Sequence, residues 1–427
     1  RPDWCLSRQR SWGVPIPSFR CSSCHQNLMS AESIEHFAKI AREKGIDAWY
    51  TDDIASLVPG GTKCTCGGPA FIKEFDILDV WFDSGVSHFA GLDTWKDHRW
   101  PSDLYLEGSD QHRGWFQSSL WPAVALRDRA PYGTVLTHGF MLDKDGKAMS
   151  KSMGNVIPPE DIIKKFGADI LRLWVSSEDY RNDLRIGMEM MQQIADSYRK
   201  IRNTFKFILG HLGDFDEAKH AVPYEELSDL DKWLLHELSV LWNRVFDHYE
   251  NFEFHMVYRR ILNFCAVELS SVYFDISKDI LYIELKDSRK RRANQTVLNE
   301  INKILAPLIA PILAFTADEI WQFNGAHTET IHLTTYYKPP KQFYNEAIAA
   351  KMESLVMLKN DSLKALENKR RDKVIKGSLE ADLSIFTESQ SLRSLVAELG
   401  DELRRFLQVS SVTMESAVKP GMEKFDN

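Results

Sequence analysis

Asp103-Leu104-Tyr105-Leu106 reads as a short β-strand, Glu107-Gly108-Ser109-Asp110-Gln111-His112-Arg113-Gly114 as a glycine-containing turn, and Trp115-Phe116 onward to Trp121 as a helix. Strand-like runs also occur at Ile77-Leu78-Asp79-Val80-Trp81-Phe82 and Thr134-Val135-Leu136-Thr137. Strands alternating with helical segments predict a parallel sheet, so the first part of the chain is α/β. Nine of the 12 Trp lie before residue 175, and most of the Gly and Pro punctuation lies there too. From about residue 187 the pattern changes. Asp231–Tyr249, Met256–Phe274 and Asn294–Ile309 are long segments with a period of 3.6 residues and few glycines, which predicts an all-α bundle. Pro307 and Pro311 predict a kink or a helix boundary, and the bundle runs to about Phe323. Thr334–Phe343, with Pro339-Pro340, reads as a linker. Beyond it come a charged helix (Asn345–Lys369), an alternating strand at Leu379, Ala381, Leu383 and Ile385, a helix near Leu392–Phe406 and a strand Val409–Met414, together a small α+β module.

The chain has 427 residues, 44% hydrophobic, 27% charged and 11% aromatic, which excludes disordered and low-complexity classes and leaves room for about two to four domains. The net charge of -8 gives no basic surplus of the kind that announces a nucleic-acid binder, but a local basic patch is compatible with it. No apolar run approaches the roughly 18 residues that span a bilayer, and no signal-peptide pattern opens the chain, so the expectation is a cytoplasmic protein without a membrane partner. The run Arg1-Pro2-Asp3-Trp4 has no initiator Met, which predicts that the chain begins inside something longer.

Four of the six cysteines form two close pairs, Cys21-x2-Cys24 and Cys64-x-Cys66, 39 residues apart. Pairs in tight turns can present four thiolates to one tetrahedral zinc, and Gly67-Gly68-Pro69 supplies such a turn. Four thiolates leave no open coordination position, so the zinc would be structural, pinning an insert over residues 21–74; four free thiols are the alternative.

Gly146-Lys147-Ala148-Met149-Ser150-Lys151-Ser152-Met153-Gly154-Asn155 places two lysines and two serines in a loop between a strand and a Pro-Pro helix start. Lysine supplies a mobile point charge, and hydroxyls and free N–H groups donate to phosphate oxygens, so the loop suits a phosphate. A solvated basic turn is the bland alternative.

Met149-Ser150-Lys151-Ser152 resembles the second signature of the class I aminoacyl-tRNA synthetases. Leu106–Phe116, Asp79-Val80-Trp81-Phe82-Asp83-Ser84-Gly85 and Ser7-Arg8-Gln9-Arg10-Ser11-Trp12-Gly13 are similar to the isoleucyl-tRNA synthetase family in particular. The resemblance covers essentially the whole chain. It implies ATP-dependent activation of isoleucine to isoleucyl-adenylate, followed by transfer to tRNA(Ile), with ATP and its Mg2+ as reaction partners, a structural Zn2+, and a monomer. It assigns catalysis to Lys151, Lys147, Ser150 and Ser152, and adenylate binding to Glu107, Gly108, Asp110, Gln111, Met149 and Lys151. Trp12 and Trp115 match positions that line the isoleucine pocket. Such a pocket gains only about 1–3 kcal/mol from one methylene, so editing is expected of the family. The implied architecture is the second half of a Rossmann-like catalytic domain (1–20 and 75–186), the zinc-binding insert, an α-helical anticodon-binding domain (187–338) and the α+β junction module (339–427).

Three departures qualify this. The first class signature, His-x-Gly-His, and the editing domain are not found in these residues, which predicts that the chain makes no adenylate alone. Ala148 stands where the family usually has the first Lys of Lys-Met-Ser-Lys-Ser. The family's C-terminal zinc module is also not found. For tRNA, Arg289-Lys290-Arg291-Arg292 is the obvious basic run and Lys369-Arg370-Arg371 another, with a solvated helix end as the alternative. Competing readings are a non-catalytic, synthetase-derived tRNA-binding protein and a zinc-stabilised scaffold.

Overall fold

The computed structural model describes residues 3–324, 329–400 and 402–425. Arg1 and Pro2, where the sequence reading begins the catalytic segment, lie outside the described residues. The chain divides into two compact units, Arg1–Phe140 with Arg181–Asp183, and Met141–Tyr180 with Leu184–Asn427.

In the first unit, strand Ser102–Gly108 pairs in parallel with Tyr132–His138, and helix Trp115–Arg127 provides the crossover between them. This is the strand–turn–helix unit the sequence predicts. The parallel sheet is smaller than expected: among the described residues the strands form four two-stranded sheets and one of three strands. The expected strand Ile77–Phe82 is also corrected. Only Ile77–Leu78 is extended, paired with Ser7–Arg8, because the Asp79 carboxylate accepts from the Trp81 N–H (3.0 Å) and starts helix Val80–Gly85. Asp79 is buried and also receives Arg8 and the Trp4 indole N–H. Gly85 lets this helix approach helix Trp115–Arg127, since a Cβ there would lie 2.3 Å from the Ser118 carbonyl oxygen.

Within the first unit, the residues around 19–74 share a small sheet and core. Strands Asn27–Leu28, Phe19–Cys21 and Phe71–Lys73 make the three-stranded antiparallel sheet, and Phe19, Phe37, Trp49 and Leu57 form its core. Helix Ala31–Lys44 closes over this core, opened by a capping box between Ser30 and Ser33. So small a core supplies little net stability without a cross-link.

The second unit is helical. Helices Met188–Leu212, Asp229–Glu250, Phe254–Asn263, Arg289–Ile309 and Ala314–Phe323 confirm the bundle periodicity. The expected helix Met256–Phe274 changes character at Phe264, where a π-helix runs to Phe274 before α-helix resumes at Asp275–Ile283. Pro307 does not end its helix; it falls in the last turn, and the chain turns at Ala310–Pro311, whose Pro311 carbonyl accepts from Arg172 (2.7 Å). The predicted helix 392–406 is two, Gln390–Leu399 and Glu402–Leu407, divided by Gly400 at φ +50. The strands Asp382–Ile385 and Ser411–Met414 pair in parallel. The buried residues of this C-terminal part, Leu355, Ile385, Leu395 and Phe406 among them, continue the core of the bundle. No helix among the described residues is long and apolar enough to cross a membrane.

Asp214 ties the start of helix Arg289–Ile309 to the end of helix Met188–Leu212. Its carboxylate accepts two bonds from Arg291 (2.8 and 2.9 Å) and one from Gln295 (2.7 Å), and its carbonyl accepts from Arg292 (2.9 Å). The Arg291 guanidinium holds the Asp214 carboxyl well below the usual carboxylate range, against the opposing effect of burial. A depressed carboxyl stabilises the fold fully above its unfolded pKa and loses that contribution as pH falls through the folded value. Asp214→Asn is therefore expected to cost about 2 kcal/mol at neutral pH. In thermal unfolding against pH, the variant should lose less Tm than the parent below about pH 4.

Candidate functional site

The sequence-predicted residues fall on both units, and each group has its own geometry. In the first unit, Glu107 and Gly108 end strand Ser102–Gly108, opposite Thr137 and His138. The carboxyl end of a parallel strand is where α/β sheets place ligand groups. Glu107 is exposed and Gly108 buried, and a Cβ on Gly108 would stand 2.6 Å from the Asp110 carboxylate and displace that side chain. Gln111 does structural work here. Its Oε1 accepts from the Trp115 N–H (2.9 Å), filling the open start of helix Trp115–Arg127, and its Nε2 donates to Asp110 (3.0 Å).

Trp115 stacks on Tyr105 with ring centroids 4.1 Å apart and planes 3° from parallel, and its indole N–H donates to the Ser84 carbonyl (2.9 Å). Trp12 is 84% exposed. The two indoles expected to line one pocket thus make no ring contact with each other. Trp12 precedes Gly13, which lies at φ +150 with the Ile77 side chain close against it.

Cys21, Cys24, Cys64 and Cys66 converge with all four Sγ atoms within 4.8 Å of one another. The Cys21–Cys66 and Cys24–Cys64 separations are 3.7 and 3.4 Å, close to the roughly 3.8 Å edge of a tetrahedron with Zn–S bonds of about 2.3 Å. Each pair sits on a tight turn. The His25 N–H returns to the Cys21 carbonyl (3.0 Å), and the Gly67 N–H to the Cys64 carbonyl (2.7 Å) with Gly67 at φ +87. A Cβ on Gly68 would crowd the Cys66 and Cys21 sulfurs at 3.3 and 3.4 Å. Backbone N–H groups of Cys24 and Ser23 lower the Cys21 thiol to about 6. Against the Gln26 N–H, which works the other way, hydrogen bonds from the neighbouring thiols together with burial raise Cys24 to about 12. Without a cation the four sulfurs do not ionise together; a divalent metal removes that conflict. The donor set and spacing fit zinc.

In the second unit, Met141–Leu142 pairs in parallel with Leu184–Arg185 and leads into the lysine loop. Asp143, 9% exposed, accepts from the N–H groups of Asp145 (3.0 Å) and Lys147 (2.8 Å) and from the Asn155 amide (2.8 Å). The Asn155 Oδ1 accepts from the Ser150 N–H (2.9 Å), and its Nδ2 also donates to the Ala148 carbonyl (3.2 Å). Ser150 caps the 3-10 turn Lys151–Met153, and its Oγ lies 3.1 Å from that of Ser152. Met149 packs against the bundle core. Lys147 and Lys151 are exposed, and among the described residues neither ammonium has a carboxylate partner. Ala148 is exposed and contributes a backbone carbonyl, so a lysine is not needed there for packing. Sequence reasoning passed over Asp143, although Asp143-Lys144-Asp145-Gly146 carries the Asp-first, Gly-fourth signature of a turn.

The basic run behaves differently from its expected exposure to RNA. Arg292 is 4% exposed and bonds Gln295 and Asp287, Arg291 is taken by Asp214, and Arg289 pairs with Glu226 (2.6 Å). Lys290 lies exposed between them. Helix Arg289–Ile309 faces acidic residues at its start, and these use the guanidiniums before a phosphate can.

Residues 1–187 match the family described as tRNA synthetases class I (I, L, M and V), and residues 231–385 match the anticodon-binding domain of tRNA ligase. A protein of Brachyspira hyodysenteriae named Isoleucine--tRNA ligase is 47% identical over 420 residues, 98% of this chain and 46% of the relative. Another so named, from Persephonella marina, is 49% identical over 423 residues, 97% of this chain and 45% of the relative. The chain thus spans about half the length of the curated relatives it matches. A crystal structure of a LeuRS–tRNA–LeuAMS ternary complex from Agrobacterium radiobacter K84 is 18% identical, covers 80% of this chain and 43% of its own, and superposes with a TM-score of 0.59, which establishes a shared fold. The signature residues, the strand–turn–helix geometry and an identity of 47% over 98% of the chain agree: the chain belongs to the isoleucyl-tRNA synthetase family of class I synthetases.

Proposed function

We propose that this chain is the part of an isoleucine--tRNA ligase that carries the lysine loop of the adenylate site and the tRNA-binding helical body. The reaction is ATP-dependent activation of isoleucine to isoleucyl-adenylate, then transfer to the 3′ end of tRNA(Ile). The observation that carries this is the pair of unclaimed ammonium groups, Lys147 and Lys151, on a loop whose backbone is satisfied without them.

Attack of the isoleucine carboxylate on the α-phosphate gathers negative charge on phosphate oxygens, and the leaving pyrophosphate carries more. Lys151 answers that charge, with Lys147 taking the place of the lysine that Ala148 lacks. The hydroxyls of Ser150 and Ser152 donate to the same oxygens, and Met149 anchors the loop from below. Mg2+ enters with ATP as part of the substrate. Glu107 accepts from ribose hydroxyls or the isoleucine ammonium, with Gly108 leaving room for their approach and Asp110 adding a second carboxylate. Gln111 serves this site by fixing the helix that presents Trp115. Trp115 and Trp12 supply apolar walls for the isoleucine side chain.

Zinc is held by Cys21, Cys24, Cys64 and Cys66 and cross-links the body over residues 21–74; it takes no part in the reaction. The catalytic segment covers 1–20 and 75–186, the anticodon-binding domain 187–338 and the junction module 339–427. The anticodon-binding domain meets tRNA, and the protein acts as a monomer in the cytoplasm.

Titration of the purified chain with Mg·ATP checks the site. Lys151→Ala is expected to weaken binding about tenfold or more, the cost of one charge-assisted contact, with the Tm unchanged; equal affinity for both proteins contradicts the assignment. Metal analysis checks the cross-link: about one zinc per chain in the parent, lost in Cys24→Ser and in Cys64→Ser, each with increased proteolysis over residues 21–74.

A further inference from the structure

A loop that offers two lysines to a phosphate must hold its own backbone by other means. Between Asp143 and Asn155, two side chains do this. Asp143 collects the N–H groups of Asp145 and Lys147 on one oxygen and the Asn155 amide on the other. Asn155 passes the connection on, accepting from the Ser150 N–H and donating to the Ala148 carbonyl. The two therefore meet at 2.8 Å across the neck of the loop and between them claim backbone groups on both sides of Ala148. The turn beneath is closed by the Asp143 N–H on the Lys147 carbonyl (2.9 Å) and by Gly146 at φ +79, against which the Arg185 guanidinium packs.

We propose that Asp143 and Asn155 are positioning residues that clamp the lysine loop and set Lys147 and Lys151 toward the triphosphate. This rests on the ATP reading above for its purpose, but the clamp itself is a property of the chain. Neither residue need touch the substrate. The effect comes through geometry: lysine is a flexible point charge, and a fixed loop removes the backbone part of the entropy lost when its ammonium is immobilised. The carboxylate is well suited to the neck because it is acceptor-only and takes three donors at once, while the facing amide can donate and accept in the same plane.

Exchanging the pair tests this. Asp143→Asn confronts amide with amide and Asn155→Asp confronts carboxylate with carboxylate, so each single variant breaks the neck. The double variant Asp143→Asn with Asn155→Asp restores one donor facing one acceptor and keeps acceptors for the Lys147 and Ser150 N–H groups, while the Ala148 carbonyl loses the donor Asn155 gave it. Trypsin cleaves after Lys147 and Lys151 only when the loop opens, so cleavage reports the open population. Each single variant is expected to be cut about 10–100-fold faster there, the range set by losing a hydrogen bond to a charged group, with the global Tm unchanged. The double variant returns part of the way to the parent rate, since the Ala148 carbonyl stays without its donor. Tripolyphosphate affinity, measured on the same proteins, falls in the singles and recovers in the double. Cleavage of the singles at the parent rate, or a double variant no slower than the singles, overturns the clamp. Faster cleavage with tripolyphosphate affinity unchanged overturns the positioning role. A parent chain that takes up no tripolyphosphate counts against the ATP reading, while the cleavage pattern decides the clamp independently.

Discussion

A protein cation is available to a ligand only where no carboxylate of the protein has already claimed it, and the second unit is organised around that constraint. At the start of helix Arg289–Ile309 the guanidiniums of Arg291 and Arg292 are consumed by Asp214, Asp287 and Gln295, and the fold gains a fixed corner between that helix and the end of Met188–Leu212. In the lysine loop the one nearby buried carboxylate, Asp143, spends its lone pairs on backbone N–H groups and on Asn155. The Lys147 ammonium acts on this carboxylate only through space, and among the described residues neither loop lysine forms an ion pair. Side chains of the same charge thus acquire opposite fates from what the local backbone asks of the acidic neighbour.

The same logic of prior claims orders the first unit. Asp79 is filled by the Trp81 N–H, Arg8 and the Trp4 indole, and turns the chain from strand to helix. Gln111 is filled by Trp115 and Asp110. Glu107 stays exposed at a strand's carboxyl end, with room made by Gly108. Around the cysteines, the two turns are joined by the pairing of Phe19–Cys21 with Phe71–Lys73 and by the Thr65 hydroxyl donating to the Gln26 side-chain oxygen (2.6 Å), and the four sulfurs converge with no disulfide among them. A metal held by these sulfurs would tie its binding to the folding of this region.

How much of this was legible in the sequence follows from the range of the interactions concerned. The bundle helices were readable because periodicity is a local property of an amphipathic face. So were the cysteine quartet and the Ser102–Arg127 strand and helix, each written in spacing or in glycine placement. The π-helix Phe264–Phe274 has no such local sign, and Ile77–Phe82 misleads because its apolar letters hide a capping aspartate at Asp79. Residue types marked the lysine loop, but which lysines stay unpaired depended on Asp143 and Asn155 meeting across 12 positions. The burial of Arg292, the cap made by Gln111 and the exposure of Trp12 likewise depend on tertiary neighbours that no motif names.

The availability of Lys147 and Lys151 is the central claim, and amine-reactive labelling read by mass spectrometry addresses it directly. In the free chain these two lysines should label faster than Lys303 and Lys351, whose ammoniums are held by Glu217 and Glu300 and by Asp229 and Glu398. Saturating Mg·ATP should then protect Lys147 and Lys151 and leave Lys303 and Lys351 unchanged. Slow labelling of the loop lysines in the free chain, or labelling indifferent to Mg·ATP, would contradict the account.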